Sequence, residues 1–190
     1  MSALAFTVFD TAIGACALVW GDGGVVGAFL PERDEPALRA RIARRFADAV
    51  EAEPPNSVRD AVAGVVALLA GEKRDLSGVA LDMTAVPPFH QRVYEVARAI
   101  PPGETLTYGE IAARLGAPRE AARAVGEAMG RNPFPIIMPC HRVLGAGGKP
   151  GGFSAPGGVE TKLKMLQIEG AQVGDEPTLF DTLPLAVKPK

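Results

Sequence analysis

A chain of 190 residues holds one ordinary domain or two small ones, and it can bury enough apolar surface to fold without covalent staples. A single four-ligand zinc site would consume both cysteines, Cys16 and Cys140, and both histidines, His90 and His141, so neither a metal site, a cofactor nor a disulfide scaffold is expected to organise the fold. The net charge of −2 excludes a uniformly basic coat but divides unevenly, with 8 Lys/Arg against 12 Asp/Glu in residues 1–87, 10 against 7 in residues 88–170, and 2 against 3 in residues 171–190.

The chain opens apolar, but Asp10 interrupts the stretch and no positive segment precedes it, which predicts mature protein rather than a leader. Residues 6–9, 15–20 and 25–30 read as short strands, the last two flanking the hairpin signal Gly21-Asp22-Gly23-Gly24, so a small antiparallel sheet is expected. After Pro31, residues 35–53 place Leu38, Ile42, Phe46 and Val50 at helical spacing, with arginines around the other face. A second helix begins near Asn56 or Ser57, either able to cap it, and stops at Gly71. Residues 61–71, the longest nearly uncharged stretch, fall far short of the roughly 20 residues that span a bilayer, so a soluble, cytoplasmic protein without membrane contact is expected. Residues 78–83 return as a strand, and Pro87-Pro88 marks a domain boundary near residue 86, because two prolines continue neither kind of element.

Beyond it, Phe89, Val93, Val96 and Ile100 form the inward stripe of a helix that ends at Pro101-Pro102-Gly103. Thr107-Tyr108-Gly109-Glu110 has the form of a capping box, and Ile111, Ala112 and Leu115 supply the buried side of the short helix after it, which closes at Gly116. Pro118 suits the first turn of a further helix over residues 119–129, built largely from Ala121, Ala122, Ala124, Gly126 and Ala128. Two short helices with a glycine joint suggest helix-turn-helix, although an ordinary helical pair in a core gives the same pattern. A face of alanine and glycine lets a backbone approach a narrow groove closely, and Arg123 stands on it as one long cationic side chain, read either as a DNA contact or as plain surface.

Residues 131–144 read RNPFPIIMPCHRVL, an apolar run broken by three prolines that delivers Cys140 and His141 together. Cys16, within its strand, reads as a small buried hydrophobe. Burial raises a thiol, so a buried nucleophile at Cys140 would need a base and an orienting acid, for which His141 and Glu169, near the end of a predicted helix over residues 159–168, are candidates.

PCHRV at 139–143, Asn132-Pro133 before it, RAVG at 123–126 and GETLTY at 103–108 resemble the 6-O-alkylguanine-DNA alkyltransferase family, also called methylated-DNA-protein-cysteine methyltransferase. The likeness covers residues 88–170 in order. It implies an α+β fold: an N-terminal α/β domain of ribonuclease H-like form over residues 1–86, whose small antiparallel sheet carries helices, and then a winged-helix-like, helix-turn-helix domain over residues 87–170 that binds DNA and accepts the alkyl group. Residues 171–190 are expected to be a flexible tail. The partner implied is double-stranded DNA carrying alkylated guanine, with alkylated thymine as a second substrate, repaired once per molecule by a monomer.

Carried over residue by residue, the resemblance makes Cys140 the acceptor, His141 its base acting through a water, and Glu169 the group that holds the imidazole tautomer. Tyr108 with Lys162 corresponds to the pair that supplies a proton to the departing guanine, and Asn132 joins the recognition helix to the active-site segment. Arg123 corresponds to the side chain that fills the place of the extruded nucleotide, on a recognition helix where Ala122 and Gly126 face DNA, while Ser154 lies in the loop that closes over the base.

Several positions depart from the family pattern. Phe153 stands where a tyrosine is expected, the loop at 152–158 is longer than in the animal proteins, 116–120 is a residue longer than usual, and His90 replaces a polar residue as a phosphate contact. Two other functions compete: a damage-binding module of the alkyltransferase-like kind, which lacks the acceptor cysteine, and a cysteine hydrolase, for which no glycine-rich elbow surrounds Cys140. In the tail, Leu179 and Phe180 resemble a peptide that docks on a sliding clamp, or they fold back onto the domain.

Overall fold

Runs of β-branched and aromatic residues begin the chain, and the computed structural model, which describes residues 3–173, folds them into a sheet. Strand β1 (Ala5–Thr11) pairs antiparallel with β2 (Gly14–Gly21), and β2 pairs antiparallel with β3 (Gly24–Phe29) across the expected Gly21-to-Gly24 turn. Strand β2 is buried on both sides. Ala17 and Val19 join Phe29 and the helix residues Leu38 and Ile42 in one cluster, while Cys16, Leu18 and Trp20 face the larger core.

Helix α1 (Glu35–Arg45) is capped by Asp34, whose carboxylate accepts from the Ala37 amide at 2.8 Å. It is shorter than the helical spacing predicted. At Phe46 the chain leaves the helix, its ring packs edge-on against Phe29 at 6.2 Å, and Val50–Glu51 becomes a short strand, β4, parallel to β1. Val50, placed by its spacing on the inward stripe, is 58% exposed, because backbone bonds from Val50 to Leu4 and from Ala52 to Phe6 take the segment into the sheet instead. The sheet order is therefore β3-β2-β1-β4, antiparallel with one parallel edge.

Helix α2 (Asn56–Leu69) buries Val58, Ala61, Val65, Leu68 and Leu69 against the larger core. Neither Asn56 nor Ser57 caps it: the cap position is Pro55, with no side-chain bond. The strand expected at 78–83 is reduced to one bridge between Val25 and Leu81, flanked by backbone bonds from Val25 to Ala80 and from Asp82 to Val25.

Pro87 and Pro88 open α3 (Pro88–Arg98), where a missing amide costs nothing. Its inward face is Val93, Tyr94 and Ala97, rotated from the predicted stripe, since Phe89 and Val96 are only half-buried. The rotation lets the buried Tyr94 hydroxyl donate to the Ala128 carbonyl at 2.8 Å and tie α3 to the next helices. The capping box forms as read. Thr107 and Glu110 exchange bonds at the start of α4 (Tyr108–Arg114), and Ile111 and Ala112 are buried. A 3-10 turn at Arg119–Ala121 leads into α5 (Ala122–Gly130). Ala128 belongs to the buried side of α5, not to its small exposed face, which consists of Arg123, Ala124, Glu127 and Gly130 with Ala122 and Gly126 half-buried.

Strands β5 (Leu106–Thr107) and β6 (Val143–Leu144) form a parallel pair beside Cys140, and α6 (Gly158–Glu169), the last helix among the described residues, lies between left-handed Gly157 and Gly170. The larger core runs from Cys16 through α2 and α3 to Met165, and the Ala28 amide of β3 bonds to the Pro133 carbonyl at 2.9 Å. The sheet thus supports the segment that carries Cys140. Among the described residues, no helix is long and apolar enough to cross a membrane.

Candidate active site

The segment from Asn132 to Cys140 is built as a rigid delivery arm. The Asn132 carbonyl oxygen Oδ1 accepts from the Phe134 amide at 2.8 Å, and its Nδ2 donates to the Met138 carbonyl at 2.9 Å and to Cys140 Sγ at 3.3 Å. Ile136 sits at φ 76, a left-handed conformation that a β-branched residue adopts at a cost, held by its burial and by the 2.8 Å bond from Met138 to Phe134. One amide side chain therefore fixes both the turn and the direction from which the sulfur is approached.

Cys140 and His141 lie in a 3-10 turn (Cys140–Arg142) whose three side chains are all buried. His141 Nε2 is 2.9 Å from Glu169 Oε1, and Arg142 donates from Nε to Oε2 and from Nη2 to Oε1, each at 2.8 Å. Burial pushes the Glu169 carboxyl up, but the bonds from His141 and Arg142 outweigh it and bring the group down to about 2. Burial pushes the His141 imidazole down, against the pull of Glu169, so the ring is neutral at neutral pH. An ionised carboxylate can only accept. The proton must then sit on Nε2, and Nδ1, buried without a partner among the described residues, keeps its lone pair and is free to act as a base.

Burial lifts the Cys140 thiol, while the Asn132 donor, the Lys162 charge and the backbone amides of Cys140 and His141 pull the other way. Lys162 is fully buried and donates to the Val143 carbonyl at 2.6 Å; burial lowers its ammonium to about 8, and Cys140 opposes that. With Arg142 and Lys162 against Glu169, the cluster carries one uncompensated positive charge, which a thiolate at Cys140 would balance.

A cavity of about 410 Å³ opens over the sulfur, lined by Tyr108, Gly126, Met129, Gly130, Cys140, Gly152, Phe153 and Ser154. That volume lies in the range of pockets that enclose small molecules, roughly 300–1,000 Å³. Burial and the neighbouring Cys140 raise the Tyr108 phenol, so it keeps its proton and can donate. Ser154 Oγ donates to the Gly130 carbonyl at 2.9 Å and ties the loop to the end of α5.

The expected residues thus divide. Cys140, Tyr108, Gly126, Phe153 and Ser154 share the cavity, and Asn132, His141, Glu169 and Lys162 support it from behind, with Lys162 bonded to Val143 rather than to Tyr108. Arg123 is exposed beside half-buried Ala122 on α5. His90 lies elsewhere, half-buried with its ring 6.1 Å from that of Tyr94.

A family model described as the DNA-binding domain of 6-O-methylguanine DNA methyltransferase matches residues 88–171. A methylated-DNA–protein-cysteine methyltransferase of Methanothermobacter thermautotrophicus is 35% identical over 157 residues, covering 82% of this chain and 80% of that protein. The chain belongs to the 6-O-methylguanine DNA methyltransferase family. A relative of the same name from Mycobacterium tuberculosis is 46% identical over 127 residues, 67% of this chain and 74% of that one. The crystal structure of Mycobacterium tuberculosis OGT in complex with DNA superposes with a TM-score of 0.68 at 37% identity, covering 87% of this chain and 92% of the other. The methyltransferase of Pyrococcus kodakaraensis superposes with a TM-score of 0.67 at 29% identity, over 88% and 99%.

Within this methyltransferase chain, sequence reading passed over Arg142, whose guanidinium anchors Glu169, and over Met129 and Gly130, which line the cavity. Arg142 carried a signal: a charged residue inside an otherwise apolar run is buried only if it is paired.

Proposed function

We propose that this protein repairs DNA by moving an alkyl group from the 6-oxygen of guanine to Cys140, once per molecule. The observation that carries the reading is a buried sulfur, bonded by Asn132, at a cavity of about 410 Å³ and next in sequence to a neutral imidazole whose proton is held on Nε2 by Glu169. His141 Nδ1 takes the thiol proton through a bridging water, and the thiolate attacks the saturated carbon of the alkyl group. The new bond is carbon to sulfur, the bond broken is carbon to oxygen, and the electron pair leaves on the guanine, to which the Tyr108 hydroxyl donates a proton. Lys162 contributes positive charge beneath the sulfur while it holds β6 in place. A thioether has no hydrolytic exit under mild conditions, so the thiol is not regenerated.

The lesion reaches the sulfur by base flipping, with Arg123 filling the vacated stack and Ala122 and Gly126 allowing α5 close approach to the minor groove. Phe153 and Ser154 close over the base, and His90 touches phosphate from α3. Residues 1–86 act as a supporting ribonuclease H-like domain and residues 87–170 as the reactive one; the protein works as a cytoplasmic monomer. Leu179 and Phe180, which lie outside the described residues, are a docking peptide for a sliding clamp, and a pull-down unaffected by replacing both with alanine would dismiss that partner.

Intact-mass spectrometry after incubation with a duplex containing one 6-O-methylguanine tests the main reading. One added methyl, mapped to Cys140 and absent from Cys140→Ala, is expected. An unmodified protein under excess lesion, or an adduct on Cys16, would refute it.

A further inference from the structure

The buried cluster behind Cys140 contains one charge that the alkyl-transfer steps leave unused. Arg142 is 5% exposed, and its guanidinium makes three bonds at once: Nε and Nη2 to the two oxygens of Glu169, each at 2.8 Å, and Nη1 to the Ile100 carbonyl at 2.6 Å. Glu169 Oε1 therefore receives both Arg142 and His141, while Oε2 receives Arg142 and a longer contact from the Gly103 amide at 3.4 Å. Without the fork, the carboxylate could turn about its terminal torsion, and its whole charge would act on the imidazole.

We propose that Arg142 is a positioning residue for alkyl transfer, fixing the Glu169 carboxylate in one orientation and sharing its negative charge so that His141 stays a neutral base. This role rests on the reading of Cys140 as the alkyl acceptor. Arginine suits it because a planar fork engages both oxygens of a carboxylate and still has a third nitrogen to anchor itself.

The charges that act on His141 are Glu169 and Lys162 from α6 and Arg142 from its own turn. Tyr94 of α3 and Tyr108 of α4 face Cys140 as neutral phenols, α2 packs against α6 through its apolar side, and Asp75 acts on Arg142 rather than on the ring. Removing Arg142 takes a cation away from the imidazolium and returns the full carboxylate charge to it. Both changes favour protonation, so a larger share of His141 is unable to accept the thiol proton at a given pH.

The test uses the full chain, Arg142→Met and Arg142→Lys, with two readouts: single-turnover methyl transfer from duplex DNA across about pH 5 to 9, and NMR titration of the His141 ring without DNA, assigned against His90, the other histidine. For Arg142→Met the midpoint of His141 should rise by about one unit or more, and the acid limb of the rate profile should move up with it, so that the rate on that limb falls about ten-fold and the loss vanishes at higher pH. Arg142→Lys should shift both in the same direction by less. A loss uniform across pH with an unmoved His141 titration would overturn the proposal, and failure of both variants to fold would do so too, by making Arg142 a part of the core alone. A wild-type chain that takes no methyl, while His141 still shifts on substitution, would sink the acceptor reading and not the charge coupling.

Discussion

Replacing Asn132 with aspartate separates the two jobs of that side chain. The carboxylate keeps an oxygen for the Phe134 amide, so the turn survives, but it loses the donor that serves the Met138 carbonyl at 2.9 Å and Cys140 Sγ at 3.3 Å. A hydrogen bond to an ionised group is worth about 1.5–3 kcal/mol. Removing the one to sulfur therefore lifts the thiol by about one to two units, on top of the lift that burial already imposes, and a like charge beside the thiolate adds in the same direction. The thiolate population at neutral pH should fall about 10- to 100-fold. A thiolate of higher pKa is intrinsically more nucleophilic, which returns part of that loss. The assay is the rate of iodoacetamide modification of Cys140 against pH, followed by mass mapping. Cys16, pushed up to about 12 by burial, stays silent in it. Asn132→Asp should move the midpoint upward while circular dichroism stays native. Asn132→Ala should instead lose the turn as well, costing about 1–3 kcal/mol for the orphaned Phe134 amide. A modification profile with an unmoved midpoint in a folded Asn132→Asp protein would refute the claim that Asn132 tunes the sulfur.

Acid stability offers a second check on the same site. Glu169 lies at about 2 when folded against an ordinary 4.5, so its contribution is fully present above 4.5 and is lost as pH falls toward 2. That is about 3 kcal/mol, and Glu169→Gln should flatten urea-melt stability across this window; an unchanged slope between wild type and variant would contradict the pairing. Thr107→Ala breaks the capping box at the start of α4 and should cost about 1 kcal/mol, read as a fall in Tm of roughly 2–4 °C. Arg123→Ala should leave Tm in place, since the side chain is exposed, yet slow methyl transfer from duplex DNA far more than from a free alkylated base; equal slowing on both would remove Arg123 from the flipping step.

What was legible in the sequence was local. The hairpin at Gly21 to Gly24 and the box from Thr107 to Glu110 depend on residues within four positions of one another, so their chemistry is complete in the string itself. Motif order near Cys140 was legible for the same reason: prolines and Asn132 shape the arm that carries the thiol within a few residues. Longer-range features were misjudged in the direction that periodicity favours. Phe46 and Val50 extend the α1 spacing, but the open edge of β1 captures the chain at Val50, and no helical period can register a neighbouring strand's unpaired groups. Tyr94 was left off the α3 stripe because its inward turn is set by the Ala128 carbonyl, 34 residues away.

The amino-acid string alone determined which atoms could do chemistry here: one thiol beside one imidazole, with a carboxylate 28 residues on. Only the tertiary structure decided their states. The distances that make Glu169 an anion, place the proton on Nε2 and bury Arg142 and Lys162 on either side arise from packing α6 against the turn at Cys140, and electrostatic coupling depends on separation and burial that sequence spacing does not encode.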